Sequence, residues 1–201
     1  EDNHLKDKAM KSIDETVWIP ESSKNRIKSM VQNRPDWCVS RQRAWGVPLT
    51  IFVNKKSGEP LKDEKVMERI IADVKERGSD VWLSEDPYKY LGNDKDPREY
   101  YAIKDILDVW FDSGCSHAYV LEKYNLKWPA DLYLEGTDQH RGFFQSSLLV
   151  ACGTRGRAPY KKVITHGFVL DGNGRKMSKS LGNVVSPCEA PHRAGGVGRA
   201  Q

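Results

Sequence analysis

The sequence predicts an α/β protein built on a parallel sheet. Three short apolar runs carry that expectation: Ile106-Leu107-Asp108-Val109-Trp110-Phe111, Leu132-Tyr133-Leu134 and Val163-Ile164-Thr165. Between the second and third, the stretch from Phe143 to Cys152 has Phe144, Leu148, Leu149 and Val150 in a helical pattern. Short buried strands alternating with a helix build βαβ units, in which the strands run parallel. Ligands of such sheets sit beyond the carboxyl ends of the strands, so the residues just after each run are the candidates for chemistry.

The upstream elements follow from the same patterns. Ile27, Met30 and Val31 predict a helix over 24–34 that Pro35 closes. Val47-Pro48-Leu49-Thr50-Ile51-Phe52-Val53 is β-rich and reads as a strand, followed by a turn at Lys55–Pro60. Val66, Ile70, Ile71 and Val74 share one stripe of a helix over 64–77, with Gly78 as its stop. Residues 79–102 are polar with scattered aromatics, so 54–104 reads as a small inserted α+β module.

Composition narrows the class. Hydrophobic residues make up 38% and charged residues 30% of the 201, which fits a soluble globular chain and excludes a disordered one. No apolar run approaches the roughly 20 residues of a bilayer span, and Glu1-Asp2-Asn3-His4 does not open a signal peptide. Cys38, Cys115, Cys152 and Cys188 form no Cys-x-x-Cys pair, which argues against a disulfide framework or a zinc site and for a cytoplasmic location. A net charge of +4 permits an anionic partner without demanding one. Neither G-x-x-x-x-G-K-[ST] nor G-x-G-x-x-G occurs, which argues against a P-loop NTPase or a dinucleotide enzyme.

Four segments could carry chemistry. Leu134-Glu135-Gly136-Thr137-Asp138-Gln139-His140-Arg141-Gly142 follows the second strand. A glycine there allows close backbone approach, and Asp138 can accept from both hydroxyls of a ribose while Gln139 donates and accepts. A strand–turn–helix joint with Asp138 as its cap accounts for the same residues equally well. Lys176-Met177-Ser178-Lys179-Ser180 follows a glycine-rich stretch, and two lysines on such a loop suit a triphosphate whose charge moves toward the leaving pyrophosphate. A solvated basic turn is the plain alternative. Asp108 to Gly114 offers Trp110 as the wall of an apolar pocket or as core, and its Asp108/Asp112 pair resembles a metal site only weakly. Trp37 to Gly46 interleaves arginines with tryptophans, a pattern read as packed aromatics at a helix cap in preference to a nucleic-acid surface. His166 ends the third strand and is a candidate nucleotide contact, whereas His4, His117 and His140 read as structural or exposed.

Together these segments resemble the class I aminoacyl-tRNA synthetases. Lys-Met-Ser-Lys-Ser at 176–180 matches a signature of that class, and its pairing with Gly-x-Asp-Gln at 136–139 is specific. The order of Trp37–Gly46, Asp108–Gly114, Glu135–Gly142 and His166–Asn183 is similar to the branched-chain subgroup. Arg34-Pro35-Asp36-Trp37-Cys38, Gly46-Val47-Pro48 and Tyr133–Gly142 look like its isoleucyl branch, with the valyl and leucyl branches as alternatives.

The resemblance implies the second half of a Rossmann-like catalytic domain. In that frame 1–36 is a return segment from an editing insertion, 37–53 re-enters the core, 54–104 is the inserted module, 105–187 is the nucleotide-binding half, and 188–201 is an atypical tail. It implies ATP with Mg²⁺, L-isoleucine and tRNA(Ile) as partners of a monomeric full-length enzyme. Glu135, Gly136, Asp138 and Gln139 would contact the adenylate, His166, Gly167 and Phe168 would line the adenosine, and Lys176 and Lys179 would stabilise the phosphates. Trp110 and Phe143 would wall the side-chain pocket, although many relatives carry Trp where Phe143 stands. The family's His-x-Gly-His signature does not occur here, so the chain is expected to be a fragment, inactive alone or limited to binding nucleotide or tRNA.

Overall fold

The computed structural model describes residues 4–186. The tail expected at 188–201 lies outside them. In chain order the regular elements are α1 (Leu5–Glu15), β1 (Val17–Ile19), α2 (Ser22–Gln32), β2 (Ser40–Arg41), β3 (Phe52–Asn54), α3 (Glu64–Arg77) and α4 (Val81–Ser84). They continue with β4 (Tyr100–Ala102), β5 (Ile106–Leu107), α5 (Val109–Gly114), β6 (Tyr133–Gly136), α6 (Phe143–Arg155) and β7 (Lys162–His166). The chain divides into two compact units, one of Glu1–Pro35 with Ser113–Gln201 and the other of Asp36–Asp112.

The first unit holds a three-stranded parallel sheet in the order β1-β7-β6. Its core joins Ala9 and Ile13 of α1, Ile27 and Val31 of α2, Phe144 and Leu148 of α6, and Val163 of β7. The helices α2 and α6 and the strands β6 and β7 stand where the apolar patterns put them. The sequence reading overlooked α1 and β1. β1 is three residues long and alternates, with Trp18 buried between exposed Val17 and Ile19. The β-branched and aromatic run Thr16-Val17-Trp18-Ile19 ahead of Pro20 is its signal.

The second unit contains two antiparallel pairs, β2 with β5 and β3 with β4. Here one expectation is corrected, because the run from Ile106 to Phe111 is no strand of the parallel sheet. Only Ile106 and Leu107 are extended, and they pair with Arg41 and Ser40. Asp108 breaks the run: its Oδ1 accepts the amide of Trp110 at 2.9 Å and its carbonyl accepts that of Phe111, which starts α5. The predicted strand 47–53 likewise divides between two partners. Pro48 bridges Ile106, whereas Phe52–Asn54 pairs with β4. The helix α3 begins at Asp63, whose side chain caps the amide of Val66, and stops at Gly78, where φ is 88°. Val66 and Ile70 join Phe52, Trp82, Tyr90 and Leu91 in this unit's own core.

Candidate functional site

The carboxyl ends of β6 and β7 meet in register. Gly136 pairs with His166, and Glu135 with Thr165, so the two segments expected to carry nucleotide contacts open from one edge of one sheet. Beyond Gly136 the chain makes a 3₁₀ turn, Thr137–His140, before α6 begins. Gln139 supports that turn at both ends of its amide. Its Oε1 accepts the N–H of Phe143 at 3.1 Å, and its Nε2 donates to Asp138 Oδ2 at 2.9 Å. Gly142 is the N-cap residue of α6, and the side chain that meets the helix's first amide is that of Gln139 rather than Asp138, which is left exposed with its carboxylate aimed by its neighbour. Gly136 is required by that arrangement, since a Cβ there would stand 2.5 Å from Asp138 Oδ1.

His140 anchors the turn from below. It is 1% exposed, its Nδ1 lies 2.6 Å from the Thr137 carbonyl, and its ring stacks on Trp18 with centroids 6.4 Å apart. A carbonyl partner makes Nδ1 the protonated nitrogen, so Nε2 is a bare, buried acceptor. Burial is the main cause that pushes the proton affinity of His140 down. His117 is also 1% exposed, whereas His4 is on the surface.

After β7 the chain turns back on itself. Leu170 bridges Lys176, Met177 N–H donates to the Val169 carbonyl, and Asp171 N–H donates to the Arg175 carbonyl, closing a hairpin over Asp171–Gly174. The fold-back sets Lys176 Nζ 3.6 Å from the centroid of the Phe168 ring. Lys179 opens an exposed 3₁₀ turn, Lys179–Leu181. Arg175 is paired with Asp171 at 3.1 Å, whereas among the described residues Lys176 and Lys179 have no carboxylate partner.

Asp171 and Asn183, which sequence reasoning missed, hold this loop. Asp171 accepts from the amides of Asn173 and Arg175 and from Asn183 Nδ2, and these bonds, with that of Asn183 foremost, hold its carboxyl down at about 2. Asp-Gly-Asn-Gly turn chemistry was a signal for Asp171. Asn183 gave none, because its partners are assembled only when the hairpin folds.

The two expected pocket walls stand in different surroundings. Phe143 opens α6 and stacks on Tyr133, centroids 5.0 Å apart. Trp110 lies in the 36–112 unit, 44% exposed, at a cavity of about 740 Å³ that Arg41, Trp45, Ile106 and Asp112 also line. Asp108 organises this region: Oδ2 accepts from Trp37 Nε1 at 3.2 Å and pairs with Arg41. Burial raises the carboxyl of Asp112, and the neighbouring charge of Asp108 adds to it. The expectation of packed aromatics at 37–46 holds for Trp37, which meets Phe111, and fails for Trp45, which is 89% exposed on a loop after β2 rather than at a helix cap.

Residues 1–196 match the family model described as "tRNA synthetases class I (I, L, M and V)". The chain belongs to the class I tRNA synthetases. It is 56% identical over 188 residues to an isoleucine–tRNA ligase of Pelagibacter ubique, covering 93% of this chain and 21% of that protein. With an isoleucine–tRNA ligase of Gluconobacter oxydans it shares 52% over 191 residues, covering 95% of this chain and 20% of that one. The chain thus spans about a fifth of the length of these relatives. A solved Mycobacterium tuberculosis methionyl-tRNA synthetase, bound by methionyl-adenylate, matches with a TM-score of 0.54 at 20% identity. That match covers 94% of this chain and 29% of the other, and it places the mixed α/β fold with its parallel sheet among class I synthetase catalytic domains.

Proposed function

We propose that the chain supplies the nucleotide-binding half of the catalytic domain of an isoleucine–tRNA ligase, a cytoplasmic monomer at full length. The reaction has two steps. A carboxylate oxygen of L-isoleucine attacks the α-phosphorus of ATP, forming isoleucyl-adenylate and releasing pyrophosphate. The terminal ribose hydroxyl of tRNA(Ile) then takes the aminoacyl group, and AMP leaves.

The observation that carries this reading is the register of Gly136 with His166 at the carboxyl edge of the sheet, with the lysine hairpin turned back onto Phe168. A nucleoside laid along that edge meets a glycine backbone that admits close approach and Asp138 and Gln139 as ribose partners. Glu135 and His166 flank it at the strand ends, while Gly167 and Phe168 offer backbone and an aromatic face to the base. Lys176 and Lys179, neither paired with a carboxylate among the described residues, can follow the negative charge as it shifts onto the leaving pyrophosphate. Phe143, stacked on Tyr133, is assigned to the wall of the isoleucine side-chain pocket. Mg²⁺ belongs to the nucleotide substrate in this reading, and among the described residues no three His, Cys, Asp or Glu converge as a metal site. The same residues contain no helix long and apolar enough to cross a membrane.

The test is isoleucine-dependent ATP–pyrophosphate exchange by the full-length protein. Lys179→Ala is expected to lower kcat about a hundredfold, with a smaller change in KM for ATP, because the charge is needed most in the transition state. Exchange that depends equally on valine or leucine, or that ignores the loss of Lys179, would refute the reading.

A further inference from the structure

We propose that Asn183 is the positioning residue of the lysine loop, and that its pairing with Asp171 sets the placement of Lys176 and Lys179. This rests on the reading of that loop as a phosphate-binding element. One side-chain amide serves both sides of Met177. Asn183 Oδ1 accepts the N–H of Ser178 at 2.8 Å, and Asn183 Nδ2 donates to the carbonyl of Lys176 at 3.2 Å. The backbone between the two lysines is thereby clamped to a single planar group.

The clamp has its own anchor. Asn183 Nδ2 also donates to Asp171 Oδ2 at 2.9 Å, while Asp171 Oδ1 accepts the amides of Asn173 and Arg175, each at 2.9 Å. Asp171 cannot turn away without breaking the hairpin. Gly182, in the left-handed region at φ 66°, ends the turn that carries Lys179 and returns the chain so that Asn183 reaches Lys176 and Ser178. Each lysine is thus within a few bonds of a backbone group fixed by this amide.

Donor and acceptor roles make the clamp testable. Aspartate at 183 keeps an acceptor for Ser178 but has no donor, and it faces a second carboxylate at hydrogen-bond distance. Exchanging the two residues restores one donor opposite one acceptor.

The experiment uses full-length protein carrying Asn183→Ala, Asn183→Asp, or Asn183→Asp with Asp171→Asn. Tryptic cleavage after Arg175, Lys176 and Lys179 without substrates reads loop order independently of any activity. Isoleucine-dependent exchange reads kcat and KM for ATP. Asn183→Ala is expected to speed cleavage about fivefold and to lower kcat about tenfold, with KM for ATP within about twofold. Asn183→Asp is expected to be worse in both readouts, and the exchanged pair to recover much of that difference. Wild-type cleavage in Asn183→Ala, faster cleavage with unchanged kcat, or an exchanged pair no better than Asn183→Asp would each overturn the proposal. Should Lys179→Ala leave exchange untouched, the phosphate-binding reading fails, while cleavage and the exchanged pair still decide whether Asn183 and Asp171 hold the loop.

Discussion

The turn at Gly136–His140 and the hairpin over residues 168–183 are held by different forces. The turn rests on a core: His140 is packed between Trp18 and Phe144, and Gln139 is committed to the start of α6. The hairpin has little beneath it. Val169 and Leu181 are 60% and 68% exposed, and its shape comes from main-chain bonds, the Asp171–Asn183 pair and Lys176 over the Phe168 ring. A hydrogen bond contributes about 0.5–1.5 kcal/mol net, so such a loop opens locally at a cost far below that of global unfolding. A binding edge is well served by the first construction. A group that must move with the phosphates is better served by the second.

The strongest way to break this comparison is to damage the core alone. Leu148 is fully buried against both the sheet and the helices of its unit. Leu148→Ala is expected to cost about 3 kcal/mol of stability through lost burial and a residual cavity. Its kcat for exchange at 25 °C should stay within about threefold of wild type, because the hairpin does not draw on that core. Lys179→Ala should do the reverse, leaving the unfolding midpoint unchanged. A core variant that lost kcat as severely as Lys179→Ala would show the two regions to be one structural unit.

How much of this could be read from the sequence follows the same division. Elements defined by apolar periodicity and caps were legible: α3 between Asp63 and Gly78, α6, and the strands that end at Gly136 and His166. Asp108 was not legible as a breaker, because a six-residue apolar run fits a strand as well as a buried helix start and only its side-chain bond to the Trp110 amide decides. β1 was too short for any periodicity to register. Trp45 read as one of the packed aromatics of a helix cap, and nothing local announces its exposure. The loop's lysines were visible as a motif, whereas the Asn183 clamp depends on a fold-back that no spacing encodes.

A smaller effect sharpens the comparison at the edge itself. Gly136 has φ −67° and ψ 157°, which any residue adopts, so Gly136→Ala carries no backbone strain. Its new Cβ would come too close only to Asp138 Oδ1, the end of a side chain that can rotate, while Asp138 Cγ and His166 Cε1 stand at ordinary contact distance. Stability should change by less than about 0.5 kcal/mol, while kcat/KM for ATP falls about tenfold as Asp138 leaves the place Gln139 holds it in. A large stability loss with intact kinetics would make Asp138 a structural cap instead.

The smallest effect is a pH dependence that separates the two regions. His140 sits folded in its neutral form: burial lowers its proton affinity below the ordinary 6.5, the bond to the Thr137 carbonyl opposes this without overcoming it, and the smaller effects of Arg26, which lowers it, and Asp138, which raises it, follow. The unfolded chain therefore binds a proton that the folded chain resists as pH drops through 6.5. Stability from neutral His140 is complete above that value and is lost below it, by at most about 1.4 kcal/mol per pH unit. His117, depressed by burial and by Arg155, acts in the same direction. The hairpin behaves otherwise. Asp171 titrates at about 2 rather than 3.8, so its contribution is present above 3.8 and fades only as pH falls toward 2. Between pH 7.5 and 5.5 the turn should weaken and the hairpin should not. His140→Asn keeps a donor for the Thr137 carbonyl and removes the titration. Its unfolding midpoint in the full-length protein should lie below wild type at pH 7.5, and the gap should narrow at pH 5.5, where wild type alone has lost this stability. Tryptic cleavage at Arg175–Lys179 should keep the same relative rate across that range, once corrected for the protease's own pH profile. A gap that stays constant removes His140 as the acid-sensitive group, and a hairpin that opens by pH 5.5 ties the two regions together.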